Sequence, residues 1–526
     1  MKATTALLFL VPSTLAFQIQ FPFKVPQFFS SKILQTVTEV IEEIAPVSTT
    51  PRIAIIGAGA GGSSAAFWIS KAKERFGLEV EVDIYDSNDY IGGRSTIVYP
   101  YNNKSLPELE LGASIFVPAN KNLWRATEEF NLTKRDFQSE DYQTGIWDGE
   151  SLLVAFTGGW WDTAKLLWRY GFSSPRRTDS FVRELITSIS RIYTSSSPKW
   201  ETITALSEHL GWDALTNTTV AEYLSSQYDV SDKYISEVVE AATRVNYGQS
   251  SNAIHALEGA CSMAATGASG IAGGNFQLFE QFIKRSNATL HLNTRVTSIK
   301  PKSAGSELWT VKSSRGSTDY KAVILAAPFH STGINVPASI SEKIQPQPYV
   351  NLHVTLLATT ASAPSSSYFG LPETTEAPRV MLTSHQGQSK PEFNSLSYHG
   401  QVREGEWAVK IFSEQEISDE WLAKMFDGKV GWVTRKLWEA YPVLPPTTSF
   451  PPVKLDKGFY YVNAFEPLIS TMETETVSAR NVVDLLLNEE FDSSICPHHV
   501  EAEALEPSKI LLPVNDEKDF VLGFDC

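Results

Sequence analysis

Residues 52–62 read RIAIIGAGAGG, a short apolar run that stops at a cluster of glycines. An unbroken apolar run of this kind predicts a parallel strand that is buried on both faces. Gly57, Gly59 and Gly62 have G-x-G-x-x-G spacing, which permits a tight turn, a close approach to a pyrophosphate and tight helix packing. The amides of a following helix stabilise phosphate charge. The stretch, including Gly61, therefore predicts a dinucleotide-binding turn.

The residues after the glycines complete a strand–helix–strand unit. Ser63 to Phe76 has apolar residues at helical spacing, and Val80 to Tyr85 is a second apolar strand that ends in Asp86. An acidic side chain at this strand end accepts hydrogen bonds from the ribose hydroxyls of a bound dinucleotide. The unit predicts a Rossmann-like domain in which Asp86 binds the adenosine ribose.

A second glycine segment, Ile91-Gly92-Gly93-Arg94, follows Asp86 after a short loop. It resembles the second glycine motif of the amine oxidase-like flavoprotein superfamily. The resemblance implies that the dinucleotide is FAD, that Gly92 and Gly93 pass close to its diphosphate, and that Arg94 supplies charge and packing there. Taken alone, the segment is also compatible with a plain glycine turn.

Three further blocks narrow the resemblance to one family. Residues 244–250 read RVNYGQS, residues 272–275 read AGGN, and residues 460–464 read YYVNA. Together they resemble the prenylcysteine oxidase, or farnesylcysteine lyase, family over residues 51–487. The Asn-Tyr-Gly-Gln part is also compatible with a turn that ends a helix and carries no chemistry, since Gly and Asn readily end helices.

The resemblance also implies further cofactor contacts. They are a strand valine whose backbone contacts the adenine, a glycine pair near the flavin or diphosphate, and a final strand and helix that run toward the cofactor. The residues in these positions are Val296, Gly273, Gly274, Glu466 and Met472. Val296 is equally compatible with an ordinary strand position.

The family resemblance implies oxidation of the thioether of farnesylcysteine or geranylgeranylcysteine during the degradation of prenylated proteins. The products are a prenyl aldehyde, free cysteine and hydrogen peroxide, and molecular oxygen is the acceptor. Asn246, Tyr247 and Gln249 are candidates for contacting the amino acid head group or ordering the attacking water. FAD carries the oxidation, so a dedicated acid and base are not required. A long isoprenoid chain does require an apolar tunnel.

Two other functions share these motifs, because a fold does not determine its substrate. One is a secreted flavin oxidase of amines or polyamines, with an aromatic residue such as Tyr460 or Tyr461 beside the flavin. The other is a catalytically idle, FAD-stabilised protein that binds lipids. Hydrogen peroxide production from each class of substrate distinguishes the three.

The whole chain predicts an α/β protein with two discontinuous domains. Residues 123–247 have mostly helical spacing, and β-type runs at 350–358 and 407–412 predict a second sheet, which together indicate an α+β substrate domain. The predicted FAD-binding domain, with a parallel sheet, comprises residues 51–115, 256–335 and 455–490. The predicted substrate domain comprises residues 116–255 and 336–454, and an acidic tail covers residues 491–526.

Composition and charge exclude some partners. The chain has 526 residues and a formal net charge of -16, which argues against nucleic acid and anionic lipid as partners of the surface as a whole. Lys2, the apolar residues 6–11 and the small-residue site at 14–16 predict a signal peptide over residues 1–16, with a leader segment over 17–50. No run reaches the roughly 20 apolar residues of a transmembrane helix. The sequence is compatible with peripheral contact at a membrane.

The N-glycosylation sequons and the cysteines indicate the cellular compartment of the protein. The four N-x-[ST] sequons are at Asn103, Asn131, Asn217 and Asn287. Behind a signal peptide they predict a glycoprotein of the secretory pathway, destined for a vacuole-like or lysosome-like compartment or for the outside of the cell. Cys261, Cys496 and Cys526 predict isolated thiols or at most one bridge, and they show no metal-ligand spacing, so no metal is predicted.

Overall fold

The strand–helix–strand unit predicted at the glycine-rich stretch is present in the structure, a computed structural model. The structure describes residues 50–136, 143–156, 160–385, 389–497 and 519–526, and residues 50–526 form one compact unit. The strands are β1 (Arg52–Ile56), β2 (Glu81–Tyr85), β3 (Ile97–Val98), β4 (Leu109–Glu110), β5 (Lys134–Asp136), β6 (Thr144–Trp147), β7 (Leu152–Phe156), β8 (Ser269–Ile271), β9 (Thr289–His291), β10 (Val296–Pro301), β11 (Trp309–Ser313), β12 (Gly316–Tyr320), β13 (Ala322–Leu325), β14 (Tyr349–Thr359), β15 (Val380–Thr383), β16 (Ser395–Arg403), β17 (Glu406–Ser413), β18 (Val430–Pro442), β19 (Lys454–Asp456) and β20 (Phe459–Tyr461). The α-helices are α1 (Ala60–Phe76), α2 (Lys121–Glu129), α3 (Trp160–Tyr170), α4 (Ser173–Ser190), α5 (Ile203–Leu210), α6 (Asp213–Thr216), α7 (Val220–Tyr228), α8 (Asp232–Tyr234), α9 (Glu240–Tyr247), α10 (Ala256–Met263), α11 (Phe276–Ser286), α12 (Phe329–Thr332), α13 (Ala338–Ser341), α14 (Asp419–Met425) and α15 (Met472–Phe491).

The first sheet has six strands in the order β19-β20-β13-β1-β2-β9. β20, β13, β1, β2 and β9 run parallel, and the edge strand β19 is antiparallel. Ile53 and Ile55 of β1 and Val323 of β13 are fully buried, as expected for strands covered on both faces. Gly57 and Asp86 follow the carboxyl ends of β1 and β2, the edge at which ligands bind to such sheets.

Three long helices pack together beside this sheet. α11 and α15 both contact α1. The indole Nε1 of Trp68 on α1 donates a hydrogen bond to the Thr476 carbonyl of α15, at 3.1 Å, inside the core. This contact fixes α15, and with it the start of that helix, relative to the glycine-rich turn.

The second sheet has seven strands in the order β18-β14-β17-β16-β15-β6-β7. β14 pairs with β17 and β18 in antiparallel register, which confirms strands in the apolar runs at 350–358 and 407–412. Residues 123–247 are mostly helical, as predicted, and they also contain the short strands β5, β6 and β7. β6 is parallel to β15, a partner far along the chain. β6 also forms an antiparallel hairpin with β7, and its four residues are too few to show a strand alternation in the sequence.

Both sheets are assembled from separated pieces of the chain. The first sheet draws its strands from residues 52–85, 289–325 and 454–461, and the second from 144–156 and 349–442. The predicted boundaries of the FAD-binding and substrate domains stay a prediction. The predicted signal peptide and nearly all of the leader segment lie outside the described residues.

Residues 519–526 pack against α1, the helix beside the first sheet. Cys496 and Cys526 form a disulfide bond, one of the two outcomes predicted for the cysteines, and Cys261 is a free thiol. Phe524 packs edge-on against Trp68 of α1, with ring centroids 5.1 Å apart. The bond therefore holds residues 519–526 against the outer side of α1.

Replacing Cys526 with serine is expected to lower the free energy of unfolding by about 3 to 4 kcal/mol, because the bond closes a loop with a sequence separation of 30 residues and restricts the unfolded chain. Urea unfolding followed by circular dichroism measures the change. In reducing buffer the variant and the parent should unfold at the same urea concentration. Equal midpoints without reductant would show that the bond does not stabilise the fold.

Candidate active site

Two glycines in the turn between β1 and α1 leave no room for a side chain. Gly57 has φ 114°, and a Cβ there would lie 2.3 Å from the carbonyl oxygen of Ala326 at the end of β13. A Cβ on Gly62 would lie 1.9 Å from the Gly57 carbonyl oxygen. Both distances are far below van der Waals contact. Glycine is therefore required for β1, β13 and α1 to meet.

The N-terminus of α1 has the properties of an anion site. Gly59 is the N-cap, it makes no side-chain hydrogen bond to the helix, and the first turn contains no acidic residue. The first amides of a helix have no intrahelical partner, and the helix dipole adds a positive potential around them. These amides are suited to a diphosphate, the role predicted for Gly57, Gly59, Gly61 and Gly62.

The second glycine segment, residues 91–94, faces the turn between β1 and α1. We call these two glycine segments together the cradle. The amide of Gly92 donates to the carbonyl of Ala58 at 2.9 Å. Gly93 has φ 58°, and a Cβ there would lie 3.2 Å from the Cα of Gly59. The two glycine segments are in backbone contact, as a shared diphosphate site requires.

Asp86 lies where the ribose contact is predicted. Its carboxylate accepts the amide of Ala58 at 2.8 Å and the amide of Asn88 at 2.8 Å. The Asp86 carbonyl accepts the amide of Thr294 at 2.7 Å, which brings the buried Val296 of β10 near this strand end. The structure thus places the residues predicted for ribose and adenine side by side. The contacts themselves stay predictions.

Arg94 is part of a partly buried ionic cluster, in which Glu466 is the fully buried member. Its guanidinium forms an ion pair with Glu466 and donates to the Ala440 carbonyl at 2.9 Å, and the Tyr349 hydroxyl donates to Glu466. Burial opposes the charge of Arg94, but the Glu466 carboxylate outweighs it and raises the pKa of the guanidinium. Arg94 therefore carries a permanent charge that joins the second glycine segment to the end of β18.

The start of α15 meets the start of α1. Met472 is the first residue of α15, and Thr471 caps the helix together with Thr474. Glu475, one turn in, is buried, and a Cβ on Gly61 would lie 3.0 Å from its Oε2. Burial, reinforced by Glu466, raises the pKa of Glu475 well above its usual value. A neutral Glu475 avoids repelling an anion held between the two helix starts.

The described residues fit FAD. The glycine walls and free helix amides suit its diphosphate, and Asp86 suits its ribose. Asn463 Oδ1 and Glu475 Oε1 are buried without a hydrogen-bond partner among the described atoms. Buried polar atoms normally have partners, and a flavin offers polar ring atoms to meet them. The residues that would hold FAD are Gly57, Gly59, Gly61, Gly62, Asp86, Gly92, Gly93, Arg94 and the first turn of α15.

Two carboxylates hold the glycine pair before α11. Gly273 and Gly274 have φ 88° and 109°. The Gly273 amide donates to Glu108 at 2.8 Å, and the Asn275 amide donates to Glu110 at 2.6 Å. The structure therefore assigns the loop a fixed shape next to β4, and its contact with the cofactor stays a prediction.

A buried lysine that sequence reasoning missed lies beside this loop. The ammonium of Lys410 on β17 donates to Ser114 Oγ at 2.7 Å and to the Gly112 carbonyl at 3.2 Å. Burial lowers the pKa of Lys410, and the charge of Glu110 opposes that shift. A single lysine in the apolar run AVKIF at 408–412 is a signal that could have identified it.

The side chains of Asn246 and Gln249 both form hydrogen bonds with backbone groups. Asn246 Nδ2 donates to the Ser262 carbonyl of α10 at 2.8 Å. Gln249 Nε2 donates to the Pro442 carbonyl at 3.1 Å, and its Oε1 accepts the Leu444 amide at 2.8 Å. These bonds hold the turn after α9 against α10 and the end of β18. Head-group contacts of the two side chains stay a prediction.

Tyr247 faces a titratable group that sequence reasoning missed. Burial, reinforced by the charge of Glu258 of α10, raises the pKa of the Tyr247 hydroxyl, and its ring packs edge-on against Tyr441 at 5.4 Å. Glu258 is fully buried and accepts the amide of Ser470, just before α15, at 3.1 Å. Burial raises the pKa of Glu258 to about 8, so it is protonated at neutral pH. One acid in the apolar run ALEGA at 256–260 was the available signal.

Solved structures with the same fold define the class. Wild-type putrescine oxidase bound to putrescine superposes with a TM-score of 0.55 at 15% identity, over 83% of this chain and 99% of that one. A fatty acid isomerase from P. acnes that produces CLA superposes with a TM-score of 0.57 at 13% identity, over 84% and 99%. Residues 55–130 match an NAD(P)-binding Rossmann-like domain model. Fold and site together define an FAD-binding oxidoreductase with the amine oxidase architecture.

The family model of prenylcysteine lyase matches residues 156–495, and the chain belongs to this family. Farnesylcysteine lyase of Arabidopsis thaliana is 30% identical over 458 residues, which cover 83% of this chain and 88% of the relative. Prenylcysteine oxidase 1 of Homo sapiens is 27% identical over 459 residues, which cover 82% and 87%. The predicted family, the α/β Rossmann-like fold and FAD as cofactor are confirmed.

Replacing Gly62 with alanine is expected to weaken FAD binding at least about tenfold, because the new methyl group displaces α1 from the turn that its amides complete. Flavin fluorescence titration measures the affinity, and circular dichroism verifies the fold. Gly77→Ala is the control for backbone strain at the other end of α1: its φ is 65° and its Cβ meets open space, so it should lose some stability and bind FAD like the parent. Parental affinity in the Gly62 variant would contradict the assignment of the cradle.

Replacing Glu258 with glutamine tests the neutral buried acid. The pKa of Glu258 is raised from 4.5 to about 8 in the folded protein. The unfolded chain releases this proton first, so the parent loses stability as the pH rises between these values. The variant should gain on the parent by roughly 1.4 kcal/mol per pH unit in that window. Urea unfolding at several pH values measures the difference, and a constant difference would show that Glu258 is ionised in the fold.

Proposed function

We propose that the chain is an FAD-dependent thioether oxidase that cleaves farnesylcysteine or geranylgeranylcysteine. The match of residues 156–495 to the prenylcysteine lyase family carries the proposal. The thioether, water and oxygen yield a prenyl aldehyde, free cysteine and hydrogen peroxide, so that carbon is oxidised and oxygen is reduced. FAD, when bound, supplies the two-electron oxidant for this reaction.

One face of the second sheet carries a buried apolar cluster, which we propose as the wall of the path for the isoprenoid chain. Leu352, Val354 and Leu356 of β14 share an apolar cluster with Leu109 of β4 and Ala408 of β17. Lys410 lies two residues after Ala408 and reaches the segment that follows β4. Each methylene-sized group that leaves water contributes about 0.8 kcal/mol to binding. We place the prenyl chain along this face of the sheet.

Tyr247 and Glu258 serve the proton steps of the proposal. Water that adds to the carbon beside sulfur must lose a proton, and the cysteine sulfur must gain one when the carbon–sulfur bond breaks. A glutamic acid that stays protonated at neutral pH and lies close enough to a tyrosine to raise the pKa of its hydroxyl can carry such a proton. Asn246 and Gln249 position the turn that carries Tyr247.

A secretory location is part of the proposal. Asn103, Asn131, Asn217 and Asn287 are all exposed in the structure, so each sequon is accessible to glycosylation. The Cys496–Cys526 bond is of a type that persists in oxidising compartments. Both features support export, with a vacuole-like or lysosome-like compartment or the extracellular space as destination.

Incubation of the purified yellow protein with farnesylcysteine is expected to release hydrogen peroxide and farnesal in equal amounts. Coupled peroxidase colour measures the first product, and chromatography measures the second. Putrescine is the control substrate, since the fold is shared with an oxidase bound to it. Peroxide from putrescine alone would assign an amine oxidase, and silence with both would assign a non-catalytic FAD protein.

The same assay separates the residues of the 246–249 turn. Tyr247→Phe should lower kcat at least about tenfold with FAD still bound, because the proton carrier loses its hydroxyl. Gln249→Ala should mainly lower stability, since that side chain bonds the backbone of residues 442 and 444. Unchanged turnover in the Tyr247 variant would remove this residue from the reaction.

A further inference from the structure

A cavity of about 290 Å³ lies between the segment that leads into β4 and the strands β16 and β17. Its lining includes the polar side chains of Glu108, Arg135 and His399 and the apolar side chains of Leu109, Val402 and Ala408. The three apolar residues also belong to the cluster that forms the wall of the proposed isoprenoid path. That cluster lies on one face of a sheet; no helix in the described part of the chain is long and apolar enough to cross a membrane. The cavity therefore adjoins the isoprenoid path and adds charged groups to it.

Two carboxylates lie side by side next to this cavity. One oxygen of Glu108 accepts the Gly273 amide at 2.8 Å, and one oxygen of Glu110 accepts an amide two residues further along the same loop, at 2.6 Å. Neither Oε2 of Glu110, which is buried, nor Oε2 of Glu108 has a hydrogen-bond partner among the described residues. Burial, reinforced by the charge of Glu108, raises the pKa of Glu110 to about 7. A cation beside the two unpaired oxygens would relieve this repulsion.

Strands β5 and β17 bring positive charge to the same cavity. The ammonium of Lys410 uses two of its three N–H groups on Ser114 Oγ and a backbone carbonyl. Burial, with the charges of Lys410 and Arg135, lowers the pKa of His399 to about 3, so that its ring is neutral. Nε2 of His399 lies 2.8 Å from Ser397 Oγ, and its Nδ1 has no hydrogen-bond partner in the part of the chain that the structure describes. A neutral ring N–H in a positive potential suits a carboxylate.

We propose that this cavity binds the α-ammonium and the α-carboxylate of a prenylcysteine. The ammonium donates to the unpaired oxygens of Glu108 and Glu110. The carboxylate accepts from Nδ1–H of His399, while Ser397 donates to Nε2. A zwitterion matches a lining that carries both signs of charge, whereas an aliphatic diamine carries only one. A volume near 300 Å³ is at the lower end for small-molecule sites, which suits one amino acid head group. This role depends on the proposed function, which makes prenylcysteine the substrate.

Three saturated analogues test the cavity in the purified holoenzyme. S-dodecylcysteine keeps both charged groups, S-dodecyl-3-mercaptopropionic acid lacks the ammonium, and S-dodecylcysteine methyl ester lacks the carboxylate. None has an allylic carbon to oxidise, so each competes with farnesylcysteine, and peroxide release gives its inhibition constant. The first should bind at least about tenfold more tightly than each of the others, because hydrogen bonds to charged groups are the strong ones. Equal inhibition constants in the parent would overturn the proposal.

Replacing Glu108 with glutamine separates recognition from a structural role. Glutamine keeps an oxygen that can accept the Gly273 amide but loses the charge, and flavin absorbance verifies that FAD stays bound. The variant should bind S-dodecylcysteine at least about tenfold more weakly and the analogue without an ammonium like the parent. An equal loss for both analogues, or no loss, would overturn the role of Glu108. Glu208→Gln, which removes an exposed charge on α5, is the matched control and should bind all three analogues like the parent.

The carboxylate side has its own variant. His399→Leu should bind S-dodecylcysteine about fivefold more weakly and the methyl ester like the parent, since only the free acid accepts the ring N–H. Equal weakening of both would overturn the role of His399.

A parent that releases no peroxide from farnesylcysteine would remove the proposed reaction, and equilibrium dialysis of the three analogues then tests the cavity separately. Selective binding of the zwitterion there would support an amino acid site that serves a different reaction. Binding without selectivity would overturn the cavity as a head-group site.

Discussion

The fit between α1 and β1, where Gly62 lies against the Gly57 carbonyl, is the contact on which the remaining structure depends. It places the first amides of α1 at the carboxyl edge of the parallel sheet, and the Trp68 contact then fixes α15 beside them. The starts of two helices therefore face one region, each with a positive dipole end, and the start of α1 has no side-chain cap. A negatively charged nucleotide completes this arrangement. The packing contact that forms the core therefore also shapes the cofactor site.

Ionisable groups surround that region. Some of them keep their charge through a partner, and others are neutral because they are buried. Arg94 keeps its charge through Glu466, whereas Glu475 and Glu258 avoid charge because burial makes the carboxylate unfavourable. Lys410 shares its site with Glu110. Burying ionisable groups costs folding free energy. Groups with shifted pKa values are concentrated at functional sites. Their concentration beside the glycine cradle is consistent with a flavin site that handles protons as well as electrons.

The sequence predicted the parts of the molecule that local chemistry determines. Gly57, Gly62 and Asp86 could be assigned because turn geometry and strand ends impose specific residue types. β6 was not identified, because its four residues, Thr144–Trp147, are too few to show a strand alternation. Glu258 and Lys410 were missed because the groups around them come from elements distant in sequence. An isolated charged residue in an apolar run indicates a buried charge, but it does not identify the residues that stabilise it.

The disulfide between Cys496 and Cys526 also has a topological consequence. Residues 497–525 belong to a covalent ring, and the last residues of the chain contact Trp68. A protease that cuts once within this ring produces two polypeptides that remain joined through sulfur. Loss of residues from the middle of that ring would therefore leave the C-terminal peptide attached to the rest of the chain through the disulfide bond.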